Sequence, residues 1–467
     1  MDLPARTVVA ALVLLALGAP RLARLEAQPD PPADSRTASQ ADSRTDSQSG
    51  PRFAQAALWP ADQRAFALDG PAWLLAPDER ASLAGMDESA RSAFIESFLS
   101  AASVPGLTSD QLAQAIERRR ALMRSEFLSP LDVRARLLFL RGTPTEREIV
   151  DCGETFEPLE IWSWDPPETK PKERDEIVVF KPGAGSPWKL WTPYDGKEAL
   201  YIPEMQYYLQ QWEEGNGRTF NAKRFDLQAC KEAKDVDRAT GIEGLHEYHR
   251  DRPDAEHYRR FLAPPADLAA WVQGVLSGPA PERPPALATG PVRVVFPDRH
   301  GQRLVARFTL LLPEASSLET APSAKGDASR ELRLVVEGVV EQGDAVFDEL
   351  RVRFVLPPPA EGKPVALVFT QFLRPEQTYL ARFRVTDEVG HRSAYEVVGF
   401  RVPSGAQEVE EPPVPEEAVA ALGQKLALQQ IVGKDSLLLV PPATDVVLNT
   451  WRAEAVVTGQ RIDRVVF

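Results

Sequence analysis

Residues 134–164 read RARLLFLRGTPTEREIVDCGETFEPLEIWSW, and how this stretch is parsed decides the fold. The apolar run Leu137–Leu140 predicts a strand, and Gly142-Thr143-Pro144 predicts a turn. The Glu- and Asp-rich segment that follows predicts an exposed loop, and Ile161, Trp162 and Trp164 predict a second strand. Glu146, Glu148, Asp151, Glu154, Glu157 and Glu160 crowd the turn. Two such carboxylates are the residue types for acid–base cleavage of a glycoside. Repelling charges on a solvated loop account for the same residues without any site, and that is the reading preferred here.

Working outward, the whole chain of 467 residues is too long for one core and predicts several folding units. Its 42 Pro against 28 Gly cluster between apolar runs and point to rigid connections. A net charge of −14 argues against a nucleic-acid partner, which needs a basic face to displace counterions from phosphates. At the N-terminus, Arg6 precedes the apolar run Val8–Leu17, too short to span a bilayer as a helix, and small residues follow to Ala27. Residues 1–27 therefore read as a secretory signal peptide, with an uncleaved anchor as the alternative. The polar repeat ADSRTASQ and ADSRTDSQ makes 28–52 a disordered linker.

Export makes a disulfide between the two cysteines, Cys152 and Cys230, available. Closing that loop is worth about 4 kcal/mol in the chain-entropy model. Two buried thiols that never meet is the other reading.

Between Phe53 and Phe127 the pattern is helical. Asp87 caps a helix with Phe94, Ile95, Phe98 and Leu99 on one stripe; Thr108 or Ser109 caps another with Leu112, Ile116, Leu122 and Met123. Arg118, Arg119 and Arg120 could form an anion site, but they read as a solvated face, because consecutive positions point in different directions.

The run AWLLAPDERASLAGMDESARSAFIESF, residues 72–98, followed by RARLLFLRGTP and EIWSW, resembles the GWxTD domain, a bacterial exported family of unknown biochemical function. The shared features are Glu79-Arg80 at an acidic helix start, a Phe94-Ile95-x-x-Phe98 helix, a Gly142 and Pro144 turn with Glu146, and the Glu160-x-Trp162 strand. The eponymous motif falls on Ser129–Val133 and matches no named position in register, Asp132 lying one place away. The resemblance implies a related α+β fold rather than a retained activity.

Beyond the motif, Ile177–Phe180 and Trp188–Trp191 predict that the sheet continues. Tyr201, Met205, Tyr207, Tyr208, Leu209 and Trp212 read as a buried helix face, with sugar or peptide stacking as the alternative. His246, His249 and His257 sit among acids. His246-Glu247-Tyr248-His249 has its imidazoles three apart, one short of the zinc-protease spacing, so the three histidines are metal candidates of the weakest kind and no metal or cofactor is expected. No Gly-x-Ser-x-Gly elbow or phosphate loop is present, and catalytic residues stay unassigned.

The expected architecture is multidomain. An α+β GWxTD-like domain with an insertion (53–277) leads through a Pro-rich linker (278–291) into an all-β immunoglobulin- or fibronectin-like sandwich (292–403). About seven strands are expected there, with Leu304, Ala306, Phe308, Leu310 and Leu312, then Leu350, Val352, Phe354 and Leu356, then Tyr379, Ala381, Phe383 and Val385 turned to one face. An acidic linker and short helix (404–435) precede a partial β-domain or extra strands (436–467), which end within an apolar strand as a truncated chain or a completing edge does. The functional expectation is an exported non-catalytic binding or assembly protein of the bacterial envelope or exterior. Its partner is a protein or envelope component, with no transmembrane span beyond an uncleaved signal. The competing expectation is an exported hydrolase of protein or polysaccharide, metal-dependent through the histidines or acting through the acidic turn.

Overall fold

The computed structural model describes residues 56–407 apart from 102–103, 166–174, 184–185, 212–229, 231, 243–254, 282–284 and 324–328, and beyond them only 419–422, 424–425, 436–440 and 454–458. The expected signal peptide and linker, together with His246, His249 and Trp212, lie outside the described residues. A helical N-terminal region is followed by a mostly antiparallel β region of several sheets, none closed into a barrel. No helix among the described residues is long and apolar enough to cross a membrane.

The helices are α1 (Ala61–Leu68), α2 (Pro77–Gly85), α3 (Glu88–Leu99), α4 (Ser109–Glu126) and α5 (Val133–Arg141). Their starts are written in the sequence. Asp87 accepts from the Ala90 amide at 2.9 Å, and Thr108 forms a capping box with Gln111.

The expected strand Leu137–Leu140 is instead the last half of α5. Asp132 caps its start by accepting from the Arg134 amide at 3.0 Å, and Gly142, at φ 86°, ends it with its amide on the Leu138 carbonyl. Four consecutive apolar residues look like a buried strand, but here they serve two cores on opposite sides of one helix. Leu137 and Leu138 join the core beneath the following sheet, whereas Phe139 and Leu140 join a helical core with Leu112, Ile116, Val272 and Val275. A helix buried on nearly every side has no amphipathic period to betray it.

The segment expected as an exposed loop supplies the first strand, β1 (Glu146–Val150). It pairs with β2 (Leu159–Trp164), then come β3 (Asp175–Phe180) and β4 (Lys189–Leu190) in one antiparallel sheet of order β1-β2-β3-β4. Further along are α6 (Pro203–Gln211), α7 (Ala233–Thr240), α8 (Ala255–Arg259) and α9 (Leu268–Ser277).

Arg118, Arg119 and Arg120 are half-buried rather than a solvated face. Their different directions take them to the ends of three helices. Arg118 donates to Val275, Leu276 and Gly278 carbonyls at the end of α9, and Arg119 to the Leu138 carbonyl in α5. Arg120 donates to the Ala65 and Asp69 carbonyls at the end of α1. Carbonyls in the last turn of a helix carry partial negative charge, so one turn of α4 sets a guanidinium against the negative ends of three neighbours. Burial pushes the Arg119 guanidinium down to about 10. Arg120→Ala is expected to lower stability by about 1–2 kcal/mol, read as a fall in urea midpoint at unchanged slope.

The β region contains β5 (Arg293–His300), β6 (Arg303–Leu312), the two-residue β7 (Ala321–Pro322), β8 (Arg330–Gln342), β9 (Ala345–Leu356), β10 (Val365–Leu373), β11 (Thr378–Asp387) and β12 (Ser393–Arg401). β13 (Val419–Leu422) and β14 (Gln424–Lys425) add edges, giving two sheets of order β13-β10-β6-β5 and β12-β11-β8-β9-β14. The alternating residues expected to face inward do so: Leu304 to Leu312, Leu350 to Leu356 and Tyr379 to Val385 share one core. Phe308 and Phe369 from one sheet both meet Phe383 of the other, with ring centroids 5.2 Å apart.

Leu287, in the Pro-rich stretch, is buried in that same core. The described residues of 404–435 include no helix: β13 runs parallel to β10, and β14 antiparallel to β9, so neighbouring edges capture Val419-Ala420-Ala421-Leu422 in spite of its helical propensity. β15 (Ser436–Val440) and β16 (Glu454–Thr458) pair with each other.

Gly399 of β12 marks where the two regions close on one another. A Cβ there would overlap the Ala57 carbonyl oxygen. Gly399→Val is expected to force the 56–58 turn away at about 1–3 kcal/mol, detected by chemical denaturation and by faster proteolysis ahead of α1.

Candidate functional site

Glu160, the motif carboxylate, was expected on a solvated loop and is 3% exposed. β2 is buried on both faces because α5 and the sheet core enclose it, so Glu160 and Trp162, two residues apart on one face, are both interior. The charge is met by two arginines and an indole. Arg134 Nη1 lies 2.6 Å from Oε1, Arg147 Nε 2.6 Å from Oε2, and Trp162 Nε1 donates to Oε2 at 2.7 Å. Arg134 is fixed in turn by Asp132 at 2.7 Å and lies over the Trp188 ring at 3.7 Å; Arg147 also reaches Glu126 at 2.6 Å. Burial pushes the Glu160 carboxyl up, but hydrogen bonds and charge from Arg147 and Arg134 outweigh it and hold it below the usual range. A carboxyl kept ionised is unsuited to be a general acid.

The other motif positions divide. Gly142 ends α5, Pro144 is half-buried in the turn, and Glu146 is exposed on β1, opposite Ser163. Glu148 is half-buried, and burial followed by the neighbouring Asp235 carboxylate raises its pKa. Arg238 of α7 spans these acids, 3.8 Å from Glu148, 3.2 Å from Glu176 and 2.5 Å from Asp235. Asp151 and Glu154 are exposed, as expected. Tyr201 and Met205 are buried, whereas Tyr207 is exposed. His257 packs its ring on Tyr258 and Phe261. Cys152 and Cys230 are joined in a disulfide, which fixes the start of α7 to the end of β1.

A second charged centre, which the sequence reading did not single out, lies between the helical and β regions. Arg382 of β11, 1% exposed, donates to Asp69 at the end of α1, to Glu341 of β8 at 3.1 and 3.2 Å, and to the Tyr395 hydroxyl at 3.1 Å. Arg124 reaches Asp69 at 3.2 Å, Ser129 donates to Glu341, and Tyr395 donates to the Leu128 carbonyl at 3.1 Å. Burial works against the Arg382 cation, yet Asp69 and Glu341 more than offset it and hold its pKa above the ordinary arginine value. Burial likewise raises Asp69, and Arg382 and Arg124 outweigh it, leaving that carboxyl below its ordinary range. The cleft above this centre, lined by Ala57, Leu68, Pro130, Leu131 and Leu380, is small, about 40 Å³, room for a few waters.

No protein-family model matches this chain, and neither a curated protein nor a solved structure does.

Proposed function

We propose that this chain is an exported, non-catalytic binding or assembly protein of the bacterial envelope or exterior: a divergent GWxTD-like α+β unit carrying an immunoglobulin-like sandwich that together present a fixed surface to a protein or envelope component. The observation that carries the reading is the Asp69–Arg382–Glu341 joint, which ties the two units through buried ion pairs. The motif chemistry supports it as well, since Glu160 is taken up by Arg134, Arg147 and Trp162 in the core. The apolar run Val8–Leu17 and the Cys152–Cys230 bond favour an exported, oxidising setting.

The test is in-cell crosslinking of the exported chain followed by mass spectrometry. The expected result is a saturable complex with one envelope protein, with crosslinks from both units, that Gly399→Val weakens. The reading is overturned if the purified chain instead holds stoichiometric zinc that His246→Ala and His249→Ala remove, along with hydrolysis of a protein or polysaccharide substrate.

A further inference from the structure

Glu232 stands against the disulfide in a way that the disulfide itself does not explain. Its Oε2 is 3.2 Å from the sulfur of Cys152 and 3.9 Å from that of Cys230. A disulfide sulfur carries no hydrogen, so neither contact is a hydrogen bond in the oxidised protein. All three donor atoms lie within 4.8 Å of one another. Each segment has local backbone bonds of its own: the Cys152 carbonyl accepts from Thr155 and Phe156, that of Cys230 from Ala233, and that of Glu232 from Asp235 and Val236. Cys152 and Glu232 are half-buried, which leaves an approach from solvent.

We propose that reduction of Cys152–Cys230 opens a two-thiolate, one-carboxylate site for a thiophilic divalent cation of the zinc and cadmium class, with the disulfide as its gate. A two-electron reductant, a dithiol in the cell or a trialkylphosphine in the cuvette, breaks the S–S bond, and each sulfur takes up a proton. The dithiol leaves as its own disulfide; the phosphine leaves as its oxide, with oxygen from water. Cation binding then displaces both thiol protons as two sulfur–metal bonds and one Glu232 oxygen–metal bond form, and water fills the fourth position. Metal–sulfur bonds of about 2.3 Å and metal–oxygen bonds of about 2.0–2.2 Å place tetrahedral donors roughly 3.5–3.8 Å apart. The two oxygen–sulfur distances here bracket that range. Thiolates select against calcium and magnesium, which prefer oxygen ligands.

The probe is Cd²⁺ itself, titrated into the full chain with and without a phosphine and followed by the ultraviolet thiolate-to-cadmium band and far-ultraviolet circular dichroism. One Cd²⁺ per chain is expected in the reduced protein and none in the oxidised. Cys152→Ser abolishes the band, Glu232→Gln weakens affinity at least about tenfold, and the double variant His246→Ala/His249→Ala changes nothing. The proposal fails if the reduced protein keeps its fold and shows no band, or if Glu232→Gln binds as tightly as the parent. It fails equally if the reduced chain unfolds and Cd²⁺ does not restore the native spectrum.

Discussion

Replacing Arg382 by methionine is expected to lower stability at neutral pH by roughly 3–5 kcal/mol, the range for removing one member of a buried ion-pair set. Methionine fills much of the volume, so the loss is electrostatic: Asp69 and Glu341 are left facing each other in the interior. Arg124, 3.2 Å from Asp69, limits the damage on one side only. Replacing all three partners by apolar or amide residues of similar size is expected to recover most of the loss, because desolvation of the charges disappears with them.

The pH dependence separates this account from simple loss of packing. In the parent, the depressed Asp69 pKa contributes stability that is present above the unfolded carboxyl value near 3.8 and is lost as pH falls through the folded value. In Arg382→Met, burial without its main cation is expected to raise the Asp69 pKa instead. The deficit should then grow as pH rises above about 4 and shrink in acid. Urea midpoints at several pH values measure it; a deficit of constant size across that window would sink the electrostatic explanation.

Both regions were partly legible in the sequence, for reasons that differ. Strands β6 and β9 bury one face each, and β11 turns Tyr379–Val385 to the same core while Leu380 and Arg382 on its other face are covered by the helical region. The alternation of apolar residues exposed the inward positions directly, and the burial of Arg382 left no mark in it. At Leu137–Leu140 both sides of the element are buried, which erases the period that distinguishes helix from strand. Asp132 and Gly142 carried the missing information as cap and stop. The charged centres were invisible for another reason. Arg382 and Asp69 are 313 residues apart, and Arg134 and Glu160 are 26 apart, so no local spacing announces either pair. One signal was available: Glu160 shares a strand face with Trp162 and Trp164, and an acid in that phase calls for a buried cation.

Glu160→Ala is expected to lower stability by about 3 kcal/mol. The side chain removed is acceptor to two guanidiniums and to the indole of a fully buried tryptophan, so one substitution leaves three donors short of a partner. Two features keep the loss from being larger. Arg134 retains its bidentate contact with Asp132, and Arg147 retains Glu126 and is itself partly exposed. For the same reason Arg147→Ala is expected to lower stability by only about 1 kcal/mol, Glu160 keeping Arg134 and the indole. The double variant should therefore be less damaged than the sum of the two, by a coupling of roughly 1 kcal/mol. The acid arm points the same way: a carboxyl held below its ordinary 4.5 stabilises the fold above that pH and loses its contribution as pH falls through the depressed value. Below pH 4.5 the parent should lose stability faster than Glu160→Ala, so that their denaturation midpoints converge. If they stay parallel, Glu160 does not hold its charge in the folded protein, and the carboxyl becomes available for proton transfer.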